Sequence, residues 1–309
     1  MKTKLNFSDF LRGNIRNICK LYPLYSGRGT IANTSLFRAI SRTSEPIVMT
    51  KLYDGSMIFV NLDDYVGRPI YYFGDLDRKI SWVFQKVLRP GDTVLDIGAN
   101  FGLYTMYASK LVGQRGHVHA FEPQQNLAEL IKKSAQINGY SQITLHNIAL
   151  SEDDGIIDLF IPTDNSGRAS LSKKIGRSGT IIQVQKKNTA NYLSSLAIDT
   201  IRLMKLDVEG HEEIILQSGL EFFRTHRPDV ILFEEHKKPI AQQPTVKLLE
   251  SIGYVIFEIP KSKFRMRLLE INHETNSRIP SHDFVAVKQD YQGKDIATAL
   301  RLKSVKLRN

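Results

Sequence analysis

Two carboxylates lie on either side of a glycine-rich stretch in the first half of the chain. In "VLDIGANFGLYT" (residues 94–105), Asp96 precedes Gly98, Asn100 and Gly102, and Glu122 closes the next apolar run, "GHVHAFEP". Glycines between a strand and a helix let the backbone approach a ligand closely, and the helix that follows offers unpaired N–H groups and the positive end of its dipole. The stretch therefore predicts a turn that holds a nucleotide-like ligand.

The glycine spacing limits which ligand this is. The dinucleotide pattern G-x-G-x-x-G, started at Gly98, requires glycine where the chain has Asn100 and Leu103. A ligand without a pyrophosphate fits better, because Glu122 can accept hydrogen bonds from two ribose hydroxyls and Asp96 can hold an ammonium group directly or through water. A ribose and an amino-acid end together describe S-adenosylmethionine. The candidate cofactor-binding residues are Asp96, Gly98, Asn100, Gly102, Thr105, Glu122 and Ala149.

A second group of acids and histidines follows two later strand-like runs. Asp207 ends "TIRLMKLD", Glu209 lies on the same side by strand alternation, and His211 starts the next helix. Glu234 and His236 share a face after "PDVILFEE" in the same way. Methyl transfer to a hydroxyl needs in-line positioning and a proton acceptor, and imidazole titrates near neutral pH. We therefore expect Asp207 to position cofactor or acceptor, with His211 or His236 as general base.

Other residues near these motifs allow more than one interpretation. The candidate acceptor-binding residues are Glu209, Glu234 and Tyr72. Tyr72 lies in an aromatic stretch that can line an acceptor pocket or pack in the core. Lys205 can pair with Asp207, although a lysine in such a strand more often directs its amine outward.

A divalent metal is the alternative mechanism. Asp207, Glu209 and Glu234 offer the oxygen ligands that Mg²⁺ prefers, and a bound ion would lower the pKa of an acceptor hydroxyl. The sequence "GHEEI" lacks the second histidine of a zinc-binding H-E-x-x-H motif. The leading expectation is methyl transfer without a metal.

The elements that position these residues alternate after residue 90. Strand-like runs separated by helix-length segments predict parallel βαβ units with helices on both faces of the sheet. The predicted fold is α/β: a doubly wound, Rossmann-like and mostly parallel sheet with its last strand antiparallel at the edge, and an N-terminal α/β cap. Residues 151–200 interrupt the alternation with short extended pieces and loops. We divide the chain into a basic helical segment and β-rich cap (1–88), a cofactor-binding domain (89–290) and a basic tail (291–309).

Several of these motifs also occur together in a known family. The segments "LDIGANFGLYT", "FEP", "NIALSEDDG" and "LMKLDVEGHEEIILQSG" resemble the successive motifs of the FkbM-type S-adenosylmethionine-dependent methyltransferases, over about Asp54 to Val287. The resemblance implies the methyltransferase fold and O-methylation of a hydroxyl on a sugar, glycan or secondary metabolite. It also supports Asp207, Glu209 and Glu234 as site residues.

The composition bears on partners and compartment. The 309-residue chain has a net charge of +10 and one cysteine, Cys19, and no apolar run of signal-peptide or membrane-span length. The termini are rich in basic residues, namely Lys2, Lys4, Arg12, Arg16, Lys20, Arg28, Arg38, Arg42, Arg301, Lys303, Lys306 and Arg308. We interpret them as solvated tails, with peripheral membrane contact as the alternative. A cytoplasmic enzyme with a small-molecule or glycan acceptor is expected.

Three other functions are less favoured. A nicotinamide-dependent oxidoreductase would need the missing glycine pattern. A base methyltransferase acting on nucleic acid would carry an Asn/Asp-Pro-Pro-aromatic loop where this chain has "LDVEGHE", so no nucleic-acid partner is expected. A basic protein that only binds nucleic acid or membrane would show affinity that falls steeply with salt and no binding of S-adenosylmethionine.

Overall fold

The computed structural model describes residues 7–171, 178–261, 266–271, 281–289 and 294–300. Several basic residues of the predicted terminal tails lie outside these ranges, namely Lys2, Lys4, Arg301, Lys303, Lys306 and Arg308. The other six of the twelve basic residues are described, and Arg12 and Arg28 are buried rather than solvated. Peripheral membrane contact of the termini stays a prediction. Within these ranges, no helix combines the length and the hydropathy that crossing a bilayer would require.

The N-terminal region consists of helices and one hairpin. Its elements are α1 (Phe7–Cys19), α2 (Arg28–Ala32), α3 (Ser35–Ser41), β1 (Ile47–Lys51), β2 (Met57–Asn61), α4 (Gly67–Phe73) and α5 (Arg78–Val87). Strands β1 and β2 pair antiparallel. The hairpin is tied to a later helix, because the N–H groups of Met57 and Phe59 donate to the side chains of Asn138 (2.8 Å) and Ser134 (3.0 Å).

The remaining strands form two sheets. They are β3 (Thr93–Ile97), β4 (His117–Phe121), β5 (Ile143–His146), β6 (Ala149–Ser151), β7 (Gly155–Pro162), β8 (Gly179–Asn188), β9 (Leu203–Leu206), β10 (Val230–Glu234), β11 (Tyr254–Glu258), β12 (Leu269–Glu270) and β13 (Asp283–Lys288). Within the described residues, the central sheet has the order β12-β11-β13-β10-β9-β3-β4-β5. The pairs β3–β4, β4–β5, β3–β9 and β9–β10 are parallel, which confirms the predicted doubly wound α/β class.

The last strand differs from the prediction in its position. Strand β13 is antiparallel, as expected, but it lies between β10 and β11 and pairs with both. Its central residues Phe284, Val285, Ala286 and Val287 are all buried, which requires covered faces on both sides and suits an inner strand. The edge is formed instead by the short, exposed β12.

Helices cover both faces of the central sheet. The later helices are α6 (Leu103–Val112), α7 (Gln125–Asn138), α8 (Thr189–Ser195), α9 (Glu212–Ser218), α10 (Leu220–Thr225), α11 (Pro244–Ser251) and α12 (Lys294–Ala299). Helices α4 to α7 and α12 share one hydrophobic core with the strands, and α8 to α11 share the other. Because side chains alternate along a strand, the two cores lie on opposite faces.

Strands β6, β7 and β8, between residues 149 and 188, form a second sheet with the order β6-β8-β7. The predicted break in the alternation is confirmed, but β7 and β8 are eight and ten residues long rather than short pieces. The connection that leaves β7 includes a short 3-10 helix, Ser166–Arg168, which lies against the site described next.

Candidate active site

The glycine-rich turn after β3 is held by backbone contacts on both sides. The N–H groups of Gly98 and Ala99 both donate to the carbonyl of Phe121, at 3.0 and 2.9 Å. Gly98 has a φ of 80°, and a Cβ atom there would overlap the carbonyl oxygen of Asp207. Only glycine therefore fits between the ends of β3, β4 and β9. Asn100 also takes a left-handed conformation, with a φ of 52°.

Glu122 follows β4 and is buried against this turn. Its carboxylate accepts hydrogen bonds from the N–H groups of Asn100 (2.8 Å) and Gln124 (2.9 Å). Burial raises the pKa of Glu122 to about 7, although the two N–H groups oppose that shift. The hydrogen bonds fix the orientation of the carboxylate and leave it further capacity to accept from ligand hydroxyls.

Asp96 and Thr105 lie beneath the turn. The Thr105 hydroxyl donates to Asp96 at 2.6 Å, and Lys205 Nζ lies 3.7 Å from the other Asp96 oxygen. Both are fully buried, and neither lines the cavity above the turn. Burial raises the pKa of Asp96, against the effect of Lys205. In this arrangement Asp96 acts on the site through Lys205.

A cavity of about 260 Å³ opens above the turn. Its walls come from residues 97–101 after β3, residues 121–124 after β4, residues 148–150 around the start of β6, and residues 165–169. We call it the cofactor cavity. Of the residues predicted to bind the cofactor, Gly98, Asn100, Glu122 and Ala149 line this cavity, whereas Gly102 does not line it and packs against Ile131.

A second cavity, of about 470 Å³, adjoins the first. We call it the acceptor cavity. Its walls combine the N-terminal segment 25–30 with Asp77, Lys79 and Asp283. The residues that line both cavities are Tyr65, Leu76, Tyr104, Lys205, Asp207 and Glu234.

Lys205 is the buried cation between the cavities. Its amine lies 3.2 Å from the Asp207 carboxylate and donates to the carbonyl of Gly98 at 3.1 Å. The expectation that this amine points outward is wrong. Burial would lower the pKa of Lys205, but the negative charges of Asp207 and Asp96 outweigh it and raise the pKa. The carboxylates of Asp96 and Asp207 lie on the same face of the sheet as this amine and keep it in the protein interior.

Glu234 lies at the junction of the two cavities. Its partial burial and the neighbouring charge of Asp207 raise its pKa to about 8. The His236 Nε2 atom lies 3.3 Å from the Glu234 carboxylate, and this contact raises the pKa of His236. His236 itself is mostly exposed and lines neither described cavity, so it faces Glu234 rather than a bound ligand.

Residues 207–211 form the loop between β9 and α9. His211 lines the cofactor cavity, where its Nε2 lies 3.0 Å from the Ser151 hydroxyl, and burial lowers its pKa. Glu209, with a φ of 54°, lines the same cavity. Glu212 accepts hydrogen bonds from the N–H groups of Val208 and Gly210, both at 3.0 Å, and so fixes the loop. The predicted base His211 does not line the acceptor cavity, whereas Asp207, predicted to position cofactor or acceptor, lines both cavities.

Tyr72 does not line either cavity, which corrects its assignment to the acceptor pocket. It is fully buried in α4, and its hydroxyl lies 3.1 Å from that of Ser41. The neighbouring aromatic residues Tyr71, Phe73 and Trp82 are also buried in this core. They pack there because α4 is covered on all sides, and every residue from Gly67 to Phe73 is buried.

A cluster of opposite charges that the sequence motifs did not indicate forms the far wall of the acceptor cavity. The amine of Lys79 lies 2.5 Å from Asp283 and 3.3 Å from Asp77. Asp283 is opposite Glu234 in the sheet register, so insertion of β13 beside β10 brings it to the site. Among the described residues, no three His, Cys, Asp or Glu side chains form a group suited to a metal ion.

Comparison with known proteins identifies the family. Residues 96–286 match the model of the methyltransferase FkbM domain. The chain belongs to the FkbM methyltransferase family. This confirms the resemblance seen in the motifs. It favours a methyltransferase over a nicotinamide-dependent oxidoreductase and over a protein that only binds nucleic acid or membrane.

Individual methyltransferases are similar to parts of this FkbM chain. It is 25% identical over 197 residues to the 31-O-demethyl-FK506 methyltransferase FkbM of Streptomyces tacrolimicus, covering 55% of this chain and 75% of that protein. It is 34% identical over 185 residues to the ribosomal RNA large subunit methyltransferase E of Bdellovibrio bacteriovorus, covering 60% and 83%. A solved O-methyltransferase from Thermotoga maritima is 12% identical, with a TM-score of 0.39, over 83% of this chain and 97% of that one.

S-adenosylmethionine is the cofactor of this FkbM methyltransferase, and the cofactor cavity fits it. Glu122 offers a fixed acceptor for ribose hydroxyls, and the turn at residues 98–101 offers a close backbone approach. Apolar residues such as Phe121, Ile148 and Leu150 provide a surface for a purine ring. The carboxylates of Asp207 and Glu234 lie at the other end, where the two cavities meet.

Proposed function

We propose that this FkbM methyltransferase O-methylates a hydroxyl group of a small molecule or glycan that binds in the acceptor cavity. The observation that carries the proposal is that a carboxyl group with a raised pKa, Glu234, lines both cavities. A proton acceptor at that junction is what an aliphatic hydroxyl needs when it attacks a methyl group. The relative named for 31-O-demethyl-FK506 supports an oxygen acceptor.

In the proposed mechanism, the cofactor supplies an electrophilic methyl group on its sulfonium. Glu234 takes the proton of the acceptor hydroxyl as the new C–O bond forms and the C–S bond breaks. Asp207 orients the acceptor or the cofactor, and Lys205 holds Asp207 in place by the 3.2 Å ion pair. His236 contacts the far side of Glu234 and stabilises its ionised form. Glu234 thus replaces His211 and His236 as the proposed general base.

The variant Glu234→Gln tests this role. We expect the methyl-transfer rate to fall by about 10²- to 10⁴-fold, because the amide cannot accept the proton. Binding of S-adenosylmethionine, measured by calorimetry, should change little. The rate of the unsubstituted enzyme should rise with pH through a midpoint near 8 as Glu234 ionises, and the variant should lose this dependence.

A matched control is Glu235→Gln, since Glu235 is the next residue and lines neither described cavity. It should retain both the rate and the pH profile. A Glu234→Gln enzyme with the original rate, or with an unchanged pH profile, would refute the role of Glu234 as general base.

Ribosomal RNA is the second candidate acceptor. The similarity to ribosomal RNA large subunit methyltransferase E and the net charge of +10 favour it over other macromolecules. The two candidates can be separated with labelled S-adenosylmethionine, by offering a panel of methyl glycosides and hydroxylated macrolides beside transcribed ribosomal RNA. Methylation of RNA alone, with activity that falls steeply as salt rises, would reject the small-molecule proposal.

A further inference from the structure

Helix α1 turns both of its arginines toward the protein. Arg12 is buried and donates to the carbonyl of Arg42 at 3.1 Å. The Arg16 guanidinium lies 5.4 Å from the centre of the Tyr71 ring, and Ile15, on the same face of the helix, packs against the hydrophobic core. The helix is therefore attached to the protein through the face that carries its positive charges.

The opposite face of α1 is apolar and exposed. It carries four large apolar side chains, namely Phe10 (64% exposed), Leu11 (40%), Ile18 (69%) and, in the turn after the helix, Leu21 (81%). Their spacing places them on one side of the helix. We call these four residues the α1 patch. A row of exposed apolar side chains is typical of a surface that binds a membrane or another protein.

The segment that contains the α1 patch is strongly basic. Residues 1–42 include eight Lys and Arg residues but one acidic residue, Asp9. Lys20 directly precedes the last residue of the patch in the chain. Burial lowers the pKa of Lys20, and the positive charges of Arg16 and Lys51 lower it further. These three cations therefore lie near one another beside the patch.

The charge and the side-chain types decide between the possible partners of the α1 patch. A second copy of the chain would bring two basic segments together, and their repulsion opposes association. RNA is bound by basic side chains at its phosphates and by aromatic side chains at its bases, whereas three of the four patch residues are aliphatic. An anionic membrane suits both properties, because aliphatic side chains enter the boundary of the acyl chains and lysines attract the headgroups.

We propose that the α1 patch docks this methyltransferase on an anionic lipid surface, with Ile18 and Leu21 at the acyl boundary and Lys20 and Lys51 against the headgroups. The helix has 13 residues, fewer than the roughly 20 that span a bilayer, so it lies along the surface. The proposal goes beyond methyl transfer and does not depend on the identity of the acceptor.

The second sheet provides a matched comparison on the same molecule. Ile156 on β7 and Ile181 on β8 are 61% and 51% exposed. The lysines of β8 pair with acidic residues, namely Lys186 with Glu152 and Asp153, and Lys187 with Asp154. Apolar exposure there is not combined with unbalanced positive charge, so we expect no membrane contact at this sheet.

The test is sedimentation of the full chain with lipid vesicles. The protein should sediment with vesicles of phosphatidylcholine and phosphatidylglycerol, should be released as salt rises, and should not sediment with phosphatidylcholine alone. The double variant Ile18→Gln, Leu21→Gln should bind the mixed vesicles at least about tenfold more weakly. The double variant Lys20→Gln, Lys51→Gln should bind them about fivefold more weakly or less.

The control is the double variant Ile156→Gln, Ile181→Gln, which should bind the mixed vesicles like the unsubstituted protein. Each variant should unfold in urea and bind S-adenosylhomocysteine as the unsubstituted protein does, because the changes lie outside both described cavities. Should the double change in α1 destabilise the fold, Leu21→Gln alone should still weaken vesicle binding, since that side chain is the most exposed of the patch.

Three results would overturn the proposal: no sedimentation with either vesicle, equal sedimentation with both, or an equal loss in the control variant. Self-association in solution, or binding of ribosomal RNA, that is lost in the Ile18→Gln, Leu21→Gln variant without any vesicle binding would assign the patch to a second copy or to RNA instead. Failure of the acceptor proposal would alter none of these values.

Discussion

The two cavities of the site are built in different ways. The cofactor cavity takes a continuous part of its walls from short stretches at or next to the ends of strands, at residues 97–101, 121–124 and 148–150. The acceptor cavity combines residues that are far apart in the chain, such as Tyr25, Lys79 and Asp283. A site made of local motifs can be recognised from the sequence, whereas one made by tertiary packing cannot.

The cavities also differ in how their carboxylates are held. In the cofactor cavity, two backbone N–H groups bind Glu122. In the acceptor cavity, lysine amines hold Asp77, Asp207 and Asp283. Backbone donors are fixed by the fold, but a lysine side chain can be replaced by mutation. The carboxylates of the acceptor cavity should therefore be easier to displace by mutation than Glu122. Lys205 lines both cavities, so its substitution should affect both.

Lys205→Met should have the largest effect, because it leaves Asp96 and Asp207 without their shared cation. Removing one partner of a buried ion pair costs about 3–5 kcal/mol of unfolding free energy. Denaturant unfolding measures this loss, and both cofactor binding and turnover should fall with it. Adding Asp96→Asn to the same chain should restore part of the stability.

Lys187→Met is the control, since Lys187 forms a solvent-exposed pair with Asp154 at 2.8 Å. Such a pair contributes about 0–1 kcal/mol. If Lys205→Met is no less stable than Lys187→Met, the charges between the cavities do not hold the site together.

Glu122→Ala should have an intermediate effect that is confined to the cofactor cavity. Losing charge-assisted hydrogen bonds to ribose hydroxyls should weaken S-adenosylmethionine binding by about 1.5–3 kcal/mol, measured by calorimetry. Glu129→Ala, on the exposed side of α7, should bind the cofactor normally. Equal affinity in the two variants would mean that Glu122 does not contact the ribose.

Tyr25→Ala should have the smallest effect, and it should change only the binding of the acceptor. The ring lines that cavity alone, and loss of a stacking surface for the acceptor should raise its KM by an amount corresponding to about 0.5–1.5 kcal/mol. Cofactor affinity should stay the same. Tyr53→Ala is a suitable control, because its ring also packs on the Arg78 guanidinium but lies outside both described cavities. A weaker cofactor affinity in Tyr25→Ala would show that the cavities are not separable.

Four of the seven residues predicted to bind the cofactor line the cofactor cavity, namely Gly98, Asn100, Glu122 and Ala149, and there is a physical reason why the sequence could indicate them. A strand, a glycine turn and a helix are adjacent in the chain, and the positive φ of Gly98 is a local requirement. The fold class follows from the same alternation. The position of β13 does not, because its apolar residues suit an inner or an edge strand until its neighbours are known.

The pairing of Lys205 with Asp207 could be predicted from the sequence, but the burial of the amine could not. Lys205 is two positions before Asp207, so strand alternation alone places both on one face. Its burial depends on Asp96 from β3, which becomes its neighbour only when the two strands pair in register. The positions of Tyr72 and Asp283 likewise depend on tertiary packing. Tyr72 is buried because α4 is covered on all sides, and Asp283 reaches the site because β13 pairs with β10.

Insertion of β13 between β10 and β11 has a consequence for the order in which the site is assembled during synthesis. The strands that carry the glycine turn, Glu122 and Lys205 leave the ribosome before β13 does, whereas a domain generally folds as a unit. Asp283 arrives with the last described strand. The wall of the acceptor cavity that contains Asp283 is therefore incomplete until the C-terminal part of the chain has left the ribosome and joined the sheet.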